Sequence, residues 1–377
     1  MERISKFQLA MMIILFQIGS TPLFALGGKA KQDSWLAMLA AAICGLFLLL
    51  MFLFIQRRAP DKDLIGLLRL CFGNIIGNFL GAAFVLYFAY ESMRNVRDFG
   101  EITTITLLTS TPQLVIMLIV VVLAAYAICM GIEAFCRVVE ILTPIVICSY
   151  SALVILIFSS NLVKLDRLLP IMENGPVPVL KAAFPDIVSF PFGQTVVFFM
   201  LYKLLYNKKK FCRVSMIAYS SVALFLILMN MLDMMVLGPT LSGESTIPFL
   251  QAVQLIQVGD FLERLDVFVT LLLFLGLYVK LTMFYWASAY GLAELLGTKS
   301  KLPIYGVGAV IFATSFLEPD YTYHVWLGIE VSVKFFPIFQ VLIPLMMFVA
   351  ILIRKPHSPP PLADTKSNNI MGEETIG

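Results

Sequence analysis

Apolar residues run along this chain in blocks long enough to cross a lipid bilayer, separated by short polar connectors. Read with a window of about 19 residues, the blocks fall at 7–28, 35–55, 75–108, 114–131, 138–158, 182–206, 214–237, 261–296, 303–317 and 325–353. That pattern predicts ten membrane-spanning helices, and at about 20 residues per crossing it leaves no room for a separate water-soluble domain. The first block begins almost at Met1, is long and interrupted, and has no small-residue cleavage site before Lys29, so it is expected to be a retained helix. After Pro356 the chain turns to Pro, Ser, Asn and acidic residues with no apolar period, and residues 356–377 are expected to form a disordered cytosolic tail.

Composition sharpens this reading. Of 377 residues 60% are apolar and 14% charged, where a soluble domain holds about a quarter charged residues. A soluble enzyme is therefore excluded. The net charge of +3 gives no case for nucleic acid, so the placement of charge matters more than its sum. Basic residues near span ends accumulate on the cytoplasmic side. With an inside N-terminus, sixteen of the 27 lysines and arginines fall on inner segments and five (Lys29, Lys31, Lys164, Arg167, Lys181) on outer ones, so both termini are expected in the cytosol. The six cysteines are scattered without a CxxC pair and read as apolar packing residues rather than a disulfide framework or zinc site. No HExxH, GxSxG or phosphate-loop pattern is present, so no enzymatic chemistry and no cofactor is expected.

Two blocks are interrupted near their middle, the first by Gly19-Ser20-Thr21-Pro22 and the sixth by Ser189-Phe190-Pro191-Phe192-Gly193. Proline removes an amide donor and clashes with the preceding turn, so each segment should open into two half-helices with free backbone groups. The breaks fall at matching positions of two five-span halves, residues 7–158 and 182–353 of a membrane domain spanning 1–355. This predicts an all-α integral membrane protein of inverted five-helix repeats, with broken helices 1 and 6 in the LeuT-like manner and a ligand site between the halves. Plain proline kinks are the simpler alternative. If the helices do break, the amides of Leu23 and Phe24 form a half-helix N-terminus suited to a carboxylate, and carbonyls at the breaks suit an ammonium. A zwitterionic amino acid is the simplest ligand, although a neutral polar molecule satisfies the same groups. Gln194 offers an amide to either polarity of partner.

Charges within the spans are expensive and usually face a bundle interior or water. The third span carries Glu91, Arg94, Arg97, Asp98 and Glu101 at spacings that allow pairing along the helix, either as a structural ladder or as ligand-gating groups. Lys280 has no acidic neighbour at helical spacing. Its ammonium is suited to a cation position against the broken first helix, to proton carriage, or to snorkelling toward the inner face. Asp260, Glu263, Arg264 and Asp266 read as an outer helix end, and Glu330 with Lys334 as a structural i,i+4 pair. Gly73, Gly77 and Gly81 allow close helix packing.

Several segments together resemble one family. The stretch QLIQVGDFLERLDVF at 254–268, followed by Tyr278-Val279-Lys280, is similar to the most recognisable part of the B subunits of endospore germinant receptors. NLVKLDRLLPIMENG at 161–175, Phe190-Pro191-Phe192-Gly193, and Ile4, Ser5 and Gln8 add to the resemblance, which extends from near Met1 to about Lys355. These proteins are relatives of amino-acid, polyamine and organocation transporters. The resemblance implies a ten-helix broken-helix fold and the sensing of a nutrient germinant at the spore inner membrane, alongside an A subunit and a lipoprotein C subunit. It further implies a ligand among Gly19, Ser20 and Thr21, Tyr90 and Arg94 of the third span, the break from Phe190 through Gly193 to Gln194 of the sixth, and Thr282 and Trp286 of the eighth; the residues themselves add the Leu23 amide and Lys280 in a cation-substituting or gating role. Gln194 is a departure, since the family often has a glutamate after this Pro-Phe-Gly. The competing expectations are a proton- or sodium-coupled amino-acid transporter and a structural membrane subunit.

Overall fold

All ten apolar blocks carry helix in the computed structural model, which describes residues 3–245, 247–256 and 265–353. Among these residues no strand forms beyond an isolated bridge between Ile4 and Leu205. In chain order the helices are α1 (Lys6–Ile18), α2 (Ser34–Arg58), α3 (Leu64–Thr106), α4 (Gln113–Cys129) and α5 (Ile132–Ser159). Then come α6 (Pro176–Ala182) and α7 (Phe199–Tyr202), the two ends of one interrupted segment, and α8 (Phe211–Leu237). Two short helices, α9 (Pro239–Glu244) and α10 (Pro248–Gln254), occupy a connector that the apolar pattern left as loop. Last are α11 (Leu265–Leu296), α12 (Leu302–Thr314) and the run α13 (Tyr321–Trp326), α14 (Val333–Pro337) and α15 (Ile343–Ile353), joined by π-helical turns.

Among the described residues, seven helical segments are long and apolar enough to cross a membrane, and α1, α4 and α12 are shorter apolar helices of 13, 17 and 13 residues. At 1.5 Å per residue, 13 residues cover about 20 Å, less than the ~30 Å hydrocarbon core. The distribution of polarity is inverted relative to a soluble protein. Ile75, Phe79 and Leu86 project outward, while Gln17, Glu91, Asn95, Gln194, Lys280 and Gln340 are buried. That arrangement suits a lipid exterior, in which polar groups must be satisfied by protein.

The third segment departs from its expected start at residue 75. It begins at Leu64, capped by the Asp63 carboxylate on the Gly66 amide (2.8 Å), and reverses at Gly73, whose φ of 80° and ψ of 175° lie outside the helical range. The chain folds back so closely that a β-carbon on Gly77 would lie 2.7 Å from the Arg69 backbone, while Gly81 faces Ile65 and Leu295. The small-residue spacing thus permits close packing, first of all against its own preceding turn. The remainder of α3 packs along α11, joined by hydrogen bonds from Ser92 to the Leu281 carbonyl and from Ser288 to the Val85 carbonyl, both 2.9 Å. Much of the 254–268 stretch, including Asp260, Glu263 and Arg264, lies outside the described residues, as does the 356–377 tail.

Candidate functional site

The first interruption follows directly from its residues. Helix α1 starts with Ser5 and Gln8 capping each other's backbone amides (3.0 and 2.9 Å) and ends at Gly19, whose amide still reaches the Leu15 carbonyl (2.9 Å). Pro22 has no N–H to give Ile18, and the Thr21 hydroxyl turns back onto the Gln17 carbonyl at 2.6 Å. Here the structure corrects one expectation. No second half-helix begins at Leu23 and Phe24; Thr21–Leu23 form a single 3-10 turn, Phe24 is extended, and its amide is engaged by the Thr21 carbonyl at 3.3 Å. The carboxylate-binding helix end proposed for those amides is therefore not built.

Gly19 serves a close approach. A β-carbon there would lie 2.6 Å from the Phe16 carbonyl oxygen and 2.9 Å from Lys280 Cδ, and one on Gly276 of α11 would lie 2.7 Å from the Gly19 oxygen. Two glycine backbones thus meet at the break. The second interruption lies at Phe190 and Pro191, after which residues 192–198 form a 3-10 turn. Gln340, from the last segment, donates to the Ser189 carbonyl (3.1 Å) and the Tyr87 hydroxyl (2.7 Å), and its side chain fills the place a β-carbon on Gly193 would occupy. Gln194 is buried and donates to Glu91 Oε2 at 2.8 Å.

Lys280 links the two interruptions. It is fully buried, its Nζ lies 3.2 Å from Ser20 Oγ, and it stands 4.2 Å from the centroid of the Phe190 ring. The ammonium therefore meets the first break through a hydrogen bond and the second through a cation–π contact. Burial of this depth does not fit a lysine snorkelling to the surface.

Beside these groups lies a cavity of about 520 Å³, bounded by the loop after the first break, α3, the sixth-block segment and the α13–α14 region. Ser20, Arg94 and Phe190 line it. Gly19, Thr21, Tyr90, Gly193 and Gln194 do not line it, and the Tyr90 hydroxyl pairs with Ser332 Oγ at 2.5 Å. Thr282 and Trp286 do not line it, and Trp286 stacks on Tyr290 (5.4 Å between centroids). The wall expected from α11 is supplied by Tyr321, Val325, Gly328 and Val333. Sequence reading missed these residues because Tyr321 lies before the last block, Val325, Gly328 and Val333 carry no charge, and the one acidic group of that block, Glu330, read as a local pair with Lys334.

The third-span charges do not form the ladder suggested by their spacing. Arg94 reaches Glu318 (3.5 Å), Asp98 accepts from Tyr321 (3.2 Å) and meets His324 Nε2 (3.1 Å), and His324 Nδ1 contacts Glu318. Arg97 donates to the Ser315 carbonyl at 3.3 Å. Burial by itself would raise the Glu318 carboxyl, but the hydrogen bond to His324 and the charges of His324, Arg94 and Arg97 hold it below the ordinary range. At the mouth of the cavity Lys29 binds both Asp186 (3.1 Å) and Glu330 (3.0 Å). Glu330 also keeps its contact to Lys334 at 3.5 Å, so the local pair is one arm of a wider cluster.

Comparison with known proteins identifies relatives over most of the chain. The family described as spore germination protein matches residues 3–322. The chain is 30% identical over 357 residues to spore germination protein KB of Bacillus subtilis (strain 168), covering 94% of this chain and 95% of that one. It is 24% identical to spore germination protein B2 of the same organism over 84% of this chain and 87% of the relative. Spore germination protein A2, also from Bacillus subtilis, is 24% identical over 78% and 80%.

Proposed function

Because the chain belongs to the spore germination permease family, we infer that it is the membrane subunit of a nutrient receptor and binds a small nutrient, such as an amino acid, to trigger germination. The observation that carries this reading is the cavity of about 520 Å³ beside two interrupted helices, with buried polar groups in an otherwise apolar bundle. A pocket of that size suits a small polar molecule, and irregular backbone at membrane depth is tolerated where protein or a cavity receives it.

In this reading the ten helical blocks are ten crossings, arranged as inverted five-helix repeats at 7–158 and 182–353 with α1 and the sixth-block segment in corresponding roles. The excess of lysine and arginine on alternate connectors supports cytosolic termini. The family membership supports placement in the spore inner membrane beside A-type and lipoprotein C-type subunits. Occupation of the cavity shifts a conformational equilibrium read by those partners, which requires different affinities for the two states. A tenfold preference supplies about 1.4 kcal/mol.

The test uses spores whose nutrient response depends on this chain. Val325→Trp fills the cavity from α13 and should abolish the response while the protein remains in the membrane. An unchanged dose response at normal protein level counts against the site. Transport is the second reading, favoured by the position of the cavity between two broken segments, as in secondary transporters. Uptake of labelled nutrient by vesicles containing this chain alone supports transport; saturable binding without uptake supports sensing.

A further inference from the structure

Three ionisable side chains converge where α13 and the connection before it meet α3. His324 is fully buried between two carboxylates, its Nε2 3.1 Å from Asp98 Oδ1 and its Nδ1 in contact with Glu318 Oε2. The Tyr321 ring stacks on the imidazole at 5.5 Å between centroids, and its hydroxyl donates to Asp98 at 3.2 Å. A carboxylate can only accept, so each of the two ring contacts needs a hydrogen of its own. Neutral imidazole carries one N–H. The second hydrogen is an additional proton, and it resides on the ring because imidazole is a stronger base than a carboxylate. The charges facing the ring agree with its presence. Arg94 pairs with Glu318, Arg97 donates to the Ser315 carbonyl, and Glu101, one turn from Arg97, accepts from Gln113 at 2.8 Å. With the extra proton, Arg94, Arg97 and His324 balance Asp98, Glu101 and Glu318. Lys280 of α11 lies within electrostatic range of Asp98 and, more strongly, of Glu91, which balances it. Without the proton, a nitrogen lone pair faces a carboxylate and one negative charge is left over, both costly in an apolar bundle.

We propose that His324, Asp98 and Glu318 form a proton-binding site, and that the bound proton fastens the α13 wall of the cavity to α3. Tyr321 and Val325 line the cavity from α13, Arg94 and Asp98 line it from α3, and the three groups span the seam between them. Asp98 touches both the cavity and the ring, so it is the route of exchange. A proton leaving Nε2 passes to the Asp98 carboxylate and from there to solvent, and it returns by the same atoms. Once it has left, the ring donates to one carboxylate only. The other contact becomes repulsive, and α13 loosens from α3 at that point. Ionisable groups buried between membrane helices mark proton sites as well as braces, and this site stands whether or not the cavity takes a nutrient.

The experiment uses the full chain in lipid nanodiscs, carrying His357→Gln so that His324 is the single histidine, with its ring nitrogens isotopically labelled. Nitrogen shifts are followed by NMR from neutral pH upward until the ring loses its proton. Exchange of the α13 amides is measured over the same range and corrected for the base-catalysed intrinsic rate. The expected result is a ring protonated on both nitrogens at neutral pH, with a proton affinity at least tenfold lower in Glu318→Gln. Exchange in α13 should rise at least tenfold as the proton leaves. A neutral ring at neutral pH overturns the site, and so does a proton affinity in Glu318→Gln equal to that of the parent protein. The ring shifts of the parent decide the matter if Glu318→Gln does not fold. Exchange in α13 that stays flat across the transition overturns the fastening of the cavity wall.

Discussion

Lys280 is the residue on which the two interruptions converge. Its charge was visible in the sequence as a lone lysine in an apolar block, but its partners were not, because Ser20 and Phe190 lie in distant segments. Removing one member of a buried charge arrangement is costly, about 3–5 kcal/mol for a true pair, since the remaining charge is left desolvated. Lys280→Met is therefore expected to lower the melting temperature in nanodiscs strongly, and adding Glu91→Gln should recover much of that loss. A single variant as stable as the parent protein would show that Glu91 does not depend on Lys280. Gly276, which meets Gly19 backbone to backbone, carried no comparable signal. A glycine in an apolar helix reveals nothing of its neighbour until the two helices are placed side by side.

Among elements, the connection between α12 and α13 is tied to α3 by the Arg94, Glu318, His324 and Asp98 contacts. Glu318 is held below the ordinary carboxyl range in the folded protein. A group so depressed contributes stability above its unfolded value, about 4.3, and that contribution is lost as pH falls through the lower folded value. The parent protein should thus lose stability on acidification through this window, measured as melting temperature in nanodiscs between neutral pH and about 3. Glu318→Gln should start less stable and show a shallower dependence; identical slopes would remove Glu318 from the account. Helix positions were largely legible from apolar length and from Pro22 and Pro191. The reversal at Gly73 and the absence of a half-helix after Pro22 were not, because each depends on what the following turn packs against.

At the scale of the whole molecule, the cavity mouth is crossed by Lys29, Asp186 and Glu330, which come from three separate parts of the chain. These side chains are partly exposed, and exposed ion pairs contribute about 0–1 kcal/mol and weaken with salt. Lys29→Ala should leave global stability within about 1 kcal/mol of the parent protein yet open the cavity. In a background without the six native cysteines, Ser20→Cys should then react faster with a membrane-impermeant thiol reagent, and high salt should produce the same change without the Lys29 substitution. An unaltered labelling rate under both conditions would mean that the cluster does not control entry.

The sequence by itself determined the membrane class, the ten helical blocks, the sites of the two interruptions and the family resemblance, because each is written in contiguous residues through apolar length, proline and motif. Only the tertiary structure decided that Gln340 enters the second break, that His324 bridges Asp98 and Glu318, and that the last segment rather than α11 walls the cavity. The physical reason is that lipid is about as apolar as a neighbouring helix. The pattern of such a helix therefore records that it is buried in something apolar, without recording which face meets protein and which meets lipid.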